Sequence, residues 1–312
     1  MNVPTGLALD IDSFITSVDA KNRSQKTLTM YRQQLGYLEK WLAERGVTEV
    51  EAIKYQHLER YMIALRERGL KASSIHAAYR CFKAFLNWYE RVECVAPGWR
   101  NPARQIEGPQ VRFQRLPPAP EADILAAIKT CSTHCLADDR DRAIILLLLD
   151  TGIRANECVM LNVEHLDFRR KSLLIVYGKG MRVRTSYPSD TTLKAIAQYL
   201  RHRSKGKSEG PAPDEPLWLS LTEPTRLTYW GLRQMLDRRS ELAGLAKPLR
   251  PHAIRRTFAT VFNTSRQGTP VDLQHLLGHA NLQCLNRYVD VDAAHLEKIQ
   301  RRASPVAHLL AT

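Results

Sequence analysis

Residues 97–121, PGWRNPARQIEGPQVRFQRLPPAPE, interrupt a chain that is otherwise patterned for helix. Proline has no backbone N–H to donate and fixes φ, so a segment this rich in proline and glycine cannot continue a helix and reads as a linker. Whatever precedes it and whatever follows it must each bury its own apolar face. The segment therefore predicts two bodies, residues 1–110 and residues 111–312, and 312 residues suffice for two cores.

The first body is patterned for four helices. A short one is predicted over 10–20. A longer one follows Ser24, with Leu28, Tyr31, Leu35, Leu38 and Leu42 recurring at three- and four-residue steps and Gly46 closing it. A third runs from His57 to Arg68 before Gly69, and a fourth follows Ser73 or Ser74 with Ile75, Phe82, Phe85, Leu86 and Tyr89 as its stripe. Cations lie between the stripes, and Lys21, Arg23, Lys26, Arg80 and Lys83 are candidates to follow a phosphate backbone, though such residues more commonly form a solvated face.

The second body opens with a predicted helix over Glu121–Lys129 and then DDRDRAIILLLLDTGIRANE, a helix whose middle is apolar on every side and so belongs in the interior. Gly152 ends it, and Arg154 follows. An arginine at the end of a buried helix must meet an anion, which is either Glu157, three residues on, or a phosphate. Two β-type runs, Leu173–Tyr177 and Met181–Tyr187, flank Gly178, Lys179 and Gly180, a hairpin signal that puts Lys179 at the tip and Arg182 and Arg184 on one face of the return strand. Helices are predicted over Ser189–Arg203, Thr228–Leu242, His252–Phe262 and Val271–Leu277, with Gly278 turning the chain. His252 and Arg255 are three apart and so share a face near a helix N-terminus, where backbone N–H groups favour an anion. After Asp292 a last helix leads into SPVAHLLAT, a tail too short to fold alone.

Charge narrows the function. Lys and Arg number 46 against 32 Asp and Glu, for a net +14. The surplus is shared, with 16 basic and 12 acidic residues up to position 110 and 30 and 20 beyond it. Two basic bodies suit a polyanion held from both sides, nucleic acid before an anionic membrane. No apolar run reaches the length of a membrane span and the N-terminus lacks the pattern of a secretion signal. The cysteines at 81, 94, 131, 135, 158 and 284 form no disulfide-like framework, which points to a reducing cytoplasm. Cys131, His134 and Cys135 are close in sequence but lack a second ligand pair at finger-like spacing, so no metal site is expected.

The ordered fragments Thr151-Gly152-x-Arg154-x-x-Glu157, Lys179 in a hairpin, His252-x-x-Arg255, and Leu277-Gly278-His279 with Tyr288 nine residues after the histidine together resemble the tyrosine site-specific recombinases, the integrase and Xer-like family. The resemblance covers nearly the whole chain. It implies a mainly α fold with a small antiparallel sheet: an N-terminal four-helix, SAM-like core-binding domain and an α+β catalytic domain that clamp DNA. It implies Tyr288 as nucleophile, Arg154 and Arg255 on the phosphate, His252 taking the phenolic proton, His279 bonding the phosphate and Lys179 protonating the departing 5′ oxygen, with no cofactor. It implies double-stranded DNA with an inverted-repeat core site, a dimer per site and a tetramer in synapsis, the tail passing between protomers, and possible accessory proteins. Arg112, Arg182, Arg184 and Arg256 join the candidate DNA contacts. Arg256 stands where many relatives have histidine, and Cys284-Leu285 where Thr-Thr is frequent, which bears on substrate preference.

The residue types suit that chemistry. A phenol, with a pKa near ~10, is a weak nucleophile at neutral pH without cations close by. Guanidinium offers a planar, permanently charged fork to the charge that builds on a phosphoryl group under attack. The alternatives are a catalytically silent DNA-binding protein on the same scaffold, which would not need Tyr288, and a type IB topoisomerase-like relaxation activity, which would share the chemistry. A strand-nicking initiator would carry two histidines two apart, and none are.

Overall fold

A computed structural model of the chain describes residues 6–92, 97–111, 116–132, 135–176, 183–206, 209–265 and 269–278. Two compact units emerge, Met1–Gln114 and Arg115–Thr312.

In the first unit four helices enclose one core: α1 (Gly6–Asp19), α2 (Gln25–Ala43), α3 (Tyr55–Glu67) and α4 (Ala72–Val92). The α2 stripe is buried as its spacing predicts, with Leu28, Leu35, Leu38 and Leu42 all within the core. Ser24 starts that helix by accepting the Thr27 amide at 3.3 Å, satisfying one of the donors a helix start leaves open. Phe14 sits in an aromatic cluster, edge-on to Tyr31 at 5.0 Å and to Phe85 at 5.7 Å.

The proline-rich segment is more structured than a linker, which corrects the sequence reading. Asn101 is buried and bonds Asn87 at 2.9 Å, Glu90 at 3.2 Å and the Ala103 amide at 3.0 Å. Ala103 and Ile106 enter the first core, and Gly108 lies so close to the Tyr79 ring that a Cβ there would come within 2.7 Å. Farther on, the Ala119 amide donates to Ala253 O at 3.3 Å while the Thr257 hydroxyl donates to Ala119 O at 2.7 Å. Proline bars the interior of a helix but suits its first turn, and here Pro102 opens a short 3-10 turn that carries Ala103 into the core.

The second unit is built on α6 (Leu136–Thr151), flanked by α5 (Glu121–Lys129), α8 (Asp190–Arg203), α9 (Tyr229–Leu242) and α10 (Pro251–Ser265). Ala143, Ile144, Ile145, Leu147 and Leu148 are fully buried, as an all-round apolar helix requires. A three-stranded antiparallel sheet follows, β1 (Leu166–Asp167), β2 (Ser172–Ile175) and β3 (Arg184–Ser186), ordered as in the chain. The two-residue β1 is too short to leave a periodic signal in sequence. The β2–β3 register pairs Leu173 with Ser186, Leu174 with Thr185 and Ile175 with Arg184. Two short helices complete the unit, α7 (Ala155–Val159) and α11 (Pro270–Leu277). The hairpin tip with Lys179 and Arg182, and also Arg112, His134, His279, Tyr288 and the helix expected after Asp292, lie outside the described residues.

Candidate active site

The site forms where α6 and α11 both end. Each terminates in a left-handed glycine, Gly152 at φ 58° and Gly278 at φ 63°, which only a residue without Cβ adopts at little cost. Space adds a second constraint. A Cβ on Gly152 would lie 2.4 Å from the Phe258 ring and 2.9 Å from Leu277, and one on Gly278 would lie 3.0 Å from Arg184. The two helix ends are thus pressed together, and their carbonyls, the negative poles of two helices, gather in one place.

Three arginines converge there. Arg154 caps α7: its amide donates to Glu157 Oε2 at 3.0 Å and its Nη1 to Oε1 at 2.8 Å, with the side chain 32% exposed. Arg255, on α10, is buried and donates through Nη1 to Gly152 O at 2.6 Å and through Nη2 to Leu277 O at 2.7 Å. Arg184, on β3, donates to both Glu157 oxygens, at 3.0 and 2.6 Å, and through Nε to Leu276 O at 3.0 Å. With Arg154 Nη2 reaching Gly278 O at 3.3 Å, the successive carbonyls 276, 277 and 278 accept from arginines on three different elements.

Glu157, almost fully buried, is the one carboxylate bonded to this cluster among the described residues. Burial works to raise its pKa, but the Arg184 bonds and charge, then the Arg154 bonds, outweigh it and hold the carboxyl below its ordinary range. Glu157 is ionised at neutral pH. Of the partners the sequence offers Arg154, the carboxylate of Glu157 is bonded to it, and about a third of the side chain stays exposed.

His252, one turn before Arg255, keeps an exposed ring. Partial desolvation, followed by the charges of Arg255, Arg256 and Arg154, pushes its pKa below the usual histidine value. His252 and Arg255 are one turn apart on α10, and the neutral imidazole is the form able to accept a proton.

Arg184 corrects an expectation. Read as a strand residue facing DNA, it instead has a side chain only 10% exposed and committed to Glu157 and Leu276. Register explains this: Arg184 lies directly opposite the buried Ile175, and paired residues share a face. Arg256 donates through Nε to Pro117 O at 2.9 Å, tying the incoming chain to α10. In the first unit Lys21, Arg23, Lys26 and Arg80 are exposed, while Lys83 is half-buried with its ammonium 2.7 Å from the Tyr79 hydroxyl. Of the cysteines weighed for metal, Cys131 is buried with its thiol pushed up to about 11, and Cys135 accepts the Asp138 amide at 3.4 Å as the cap of α6. Among the described residues no helix is long and apolar enough to cross a membrane.

Known proteins resemble this chain over nearly its whole length. Tyrosine recombinase XerC of Proteus mirabilis is 25% identical over 308 residues, covering 98% of this chain and 97% of the relative. The XerC of Chromobacterium violaceum is 31% identical over 303 residues, 95% of each chain. In fold, the chain resembles the Tn1549 transposon integrase in complex with transposon right end DNA, at a TM-score of 0.75 and 18% identity over 96% of this chain and 99% of that one. It likewise resembles XerH bound to its difH substrate, at a TM-score of 0.68 and 18% identity over 93% and 82%. The N-terminal SAM-like domain of phage integrases matches residues 11–91 and the phage integrase family matches residues 115–295. With the pattern running through both units and the arginine cluster inside the longer match, this chain belongs to the phage integrase family.

Proposed function

We propose that this protein is a site-specific tyrosine recombinase that cuts and rejoins double-stranded DNA through a 3′-phosphotyrosyl intermediate and a Holliday junction. The observation that carries the reading is the convergence of Arg154 and Arg255 at the paired helix ends, with His252 one turn before Arg255 on the same helix. In this reading the Tyr288 oxygen attacks phosphorus and the bond to the 5′ oxygen breaks. His252 takes the phenolic proton, Lys179 gives one to the departing oxygen, and His279 bonds a phosphate oxygen. Arg154 and Arg255 face the charge that develops, where each preorganised donor is worth roughly 10²–10³ in rate. The phosphate ester to tyrosine keeps the bond energy, so a 5′ hydroxyl from a second strand completes the exchange without a nucleotide cofactor.

The exposed cations Lys21, Arg23, Lys26 and Arg80 suit phosphate contacts by the N-terminal domain, residues 1–110, while residues 111–312 carry catalysis. For assembly, the second unit offers a groove of about 490 Å³ walled by Leu125, Leu146, Leu149, Phe258, Val261 and Phe262. We assign it to the apolar tail SPVAHLLAT of a neighbouring protomer, within a dimer on an inverted-repeat site and a tetramer in synapsis, in the cytoplasm. Deleting residues from Asp292 onward should then weaken pairing of two sites more than binding to one half-site, and equal losses would place the tail on its own chain.

The direct test is a nicked suicide duplex carrying the site that the protein selects from random DNA, incubated without metal or nucleotide. Wild type should form a denaturation-resistant adduct and Tyr288→Phe none. An equal adduct from both would overturn the nucleophile assignment.

A further inference from the structure

We propose that Arg184 is a positioning residue of the reaction: it neutralises Glu157 so that the charge of Arg154 stays available to the phosphate, and it locks the turn that leads into His279. The inference rests on the recombinase reading above.

Three observations carry it. Arg184 takes both Glu157 oxygens, at 3.0 and 2.6 Å, whereas Arg154 shares only Oε1 through its side chain, at 2.8 Å. Arg184 also contributes more than Arg154 to keeping Glu157 ionised. The same guanidinium donates to Leu276 O at 3.0 Å, and its Nη1 and Cδ fill the space beside Gly278 where a Cβ would stand, at 3.0 and 3.1 Å. One planar group thus touches both the partner of Arg154 and the end of α11.

The electrostatic consequence follows from counting charges. Arg154, Arg184 and Glu157 together carry one net positive charge. Remove Arg184 and a buried carboxylate is left with Arg154 as its sole bonded cation; the pair becomes neutral, and Arg154 is drawn fully onto Glu157. Attraction to a phosphate entering that pocket falls even though Arg154 is still present. A residue that only braced the fold would not produce this dependence on the charge of Glu157.

The test uses full-length protein and the suicide duplex described above, with single-turnover cleavage measured at saturating protein and duplex affinity measured separately. Arg184→Gln should lower the cleavage rate about 100-fold while affinity changes less than about threefold. Glu157→Gln added to Arg184→Gln removes the surplus negative charge, and the double variant should recover about tenfold of that loss. Should Arg184→Gln fail to fold, Arg184→Lys, which keeps the charge but loses the fork, takes its place: a loss of about tenfold that Glu157→Gln does not relieve is the expected outcome. Cleavage by Arg184→Gln within threefold of wild type would overturn the proposal, as would a double variant no faster than the single one. A wild-type protein that forms no adduct would instead overturn the recombinase reading, and this proposal with it.

Discussion

The two ends of α6 hold comparable numbers of arginines and use them in opposite ways. At the N-terminal end Arg239 bonds Asp141 at 2.8 Å and Asp138 at 2.7 Å, Arg140 bonds Asp141 at 2.7 Å, and Arg238 reaches Asp141 at 2.6 Å. Asp139 is matched to Gln198 at 2.9 Å and His202 at 3.1 Å. Carboxylates meet nearly every cation, and the result is a buried brace between α6 and α9. At the C-terminal end Arg154 and Arg184 share the Glu157 carboxylate, while Arg255 donates to the carbonyls of Gly152 and Leu277. A carbonyl is a partial charge where an aspartate is a whole one, so in the bonds between described residues cations outnumber carboxylates at this end. Balance marks structure and imbalance marks the site.

The comparison can be broken by exchanging the kind of loss. Asp141→Ala should destabilise the fold by about 3–5 kcal/mol, because buried Arg140 and Arg239 lose a charged partner. Thermal or denaturant unfolding reads it, and whatever protein stays folded should still cleave. Arg255→Ala should do the reverse, lowering the cleavage rate by roughly 10²–10³. Its stability cost should be smaller, about 1–2 kcal/mol, the cost of leaving the Gly152 and Leu277 carbonyls without their donor. An Arg255→Ala protein that unfolds yet cleaves normally would erase the distinction between the two ends.

Gly278→Ala probes the unbalanced end more gently. Left-handed backbone at alanine costs about 1 kcal/mol, and the new methyl presses on Arg184, so cleavage should fall about tenfold with little change in duplex affinity. A variant that cleaves at the wild-type rate would show that the arginine clasp tolerates displacement.

The smallest effect is a shift along the pH axis. The folded pKa of His252 lies below its ordinary value, so the ring is neutral at pH 7 and activity is lost as pH falls through that lowered value. Arg256→Gln removes one of the cations that disfavour the charged ring, which raises the pKa and should move the acid limb of the cleavage profile to higher pH. A limb that stays in place would mean that another group sets it.

Much of this was legible in the sequence because it is encoded locally. Arg154 announces itself by following the Gly152 stop of an apolar helix, and His252 and Arg255 by a three-residue step. Arg184 was misread because alternation shows that Arg182 and Arg184 share a face but not which face looks inward; that depends on the pairing of Arg184 with Ile175. The brace at Asp138 and Asp141 stayed hidden because its partners, Arg238 and Arg239, lie about a hundred residues away. The strap from Trp99 to Ile106 was masked by the prolines and glycines in and around it, which report on backbone freedom and not on where Ala103 and Ile106 are buried.

The hold on carbonyls 276–278 also sets a leash. Ten residues separate Gly278 from Tyr288, and a fully extended chain of that length spans at most about 35 Å. Because that root is held by three arginines, position 288 lies within this distance of the helix-end carbonyls, whatever path the intervening residues take.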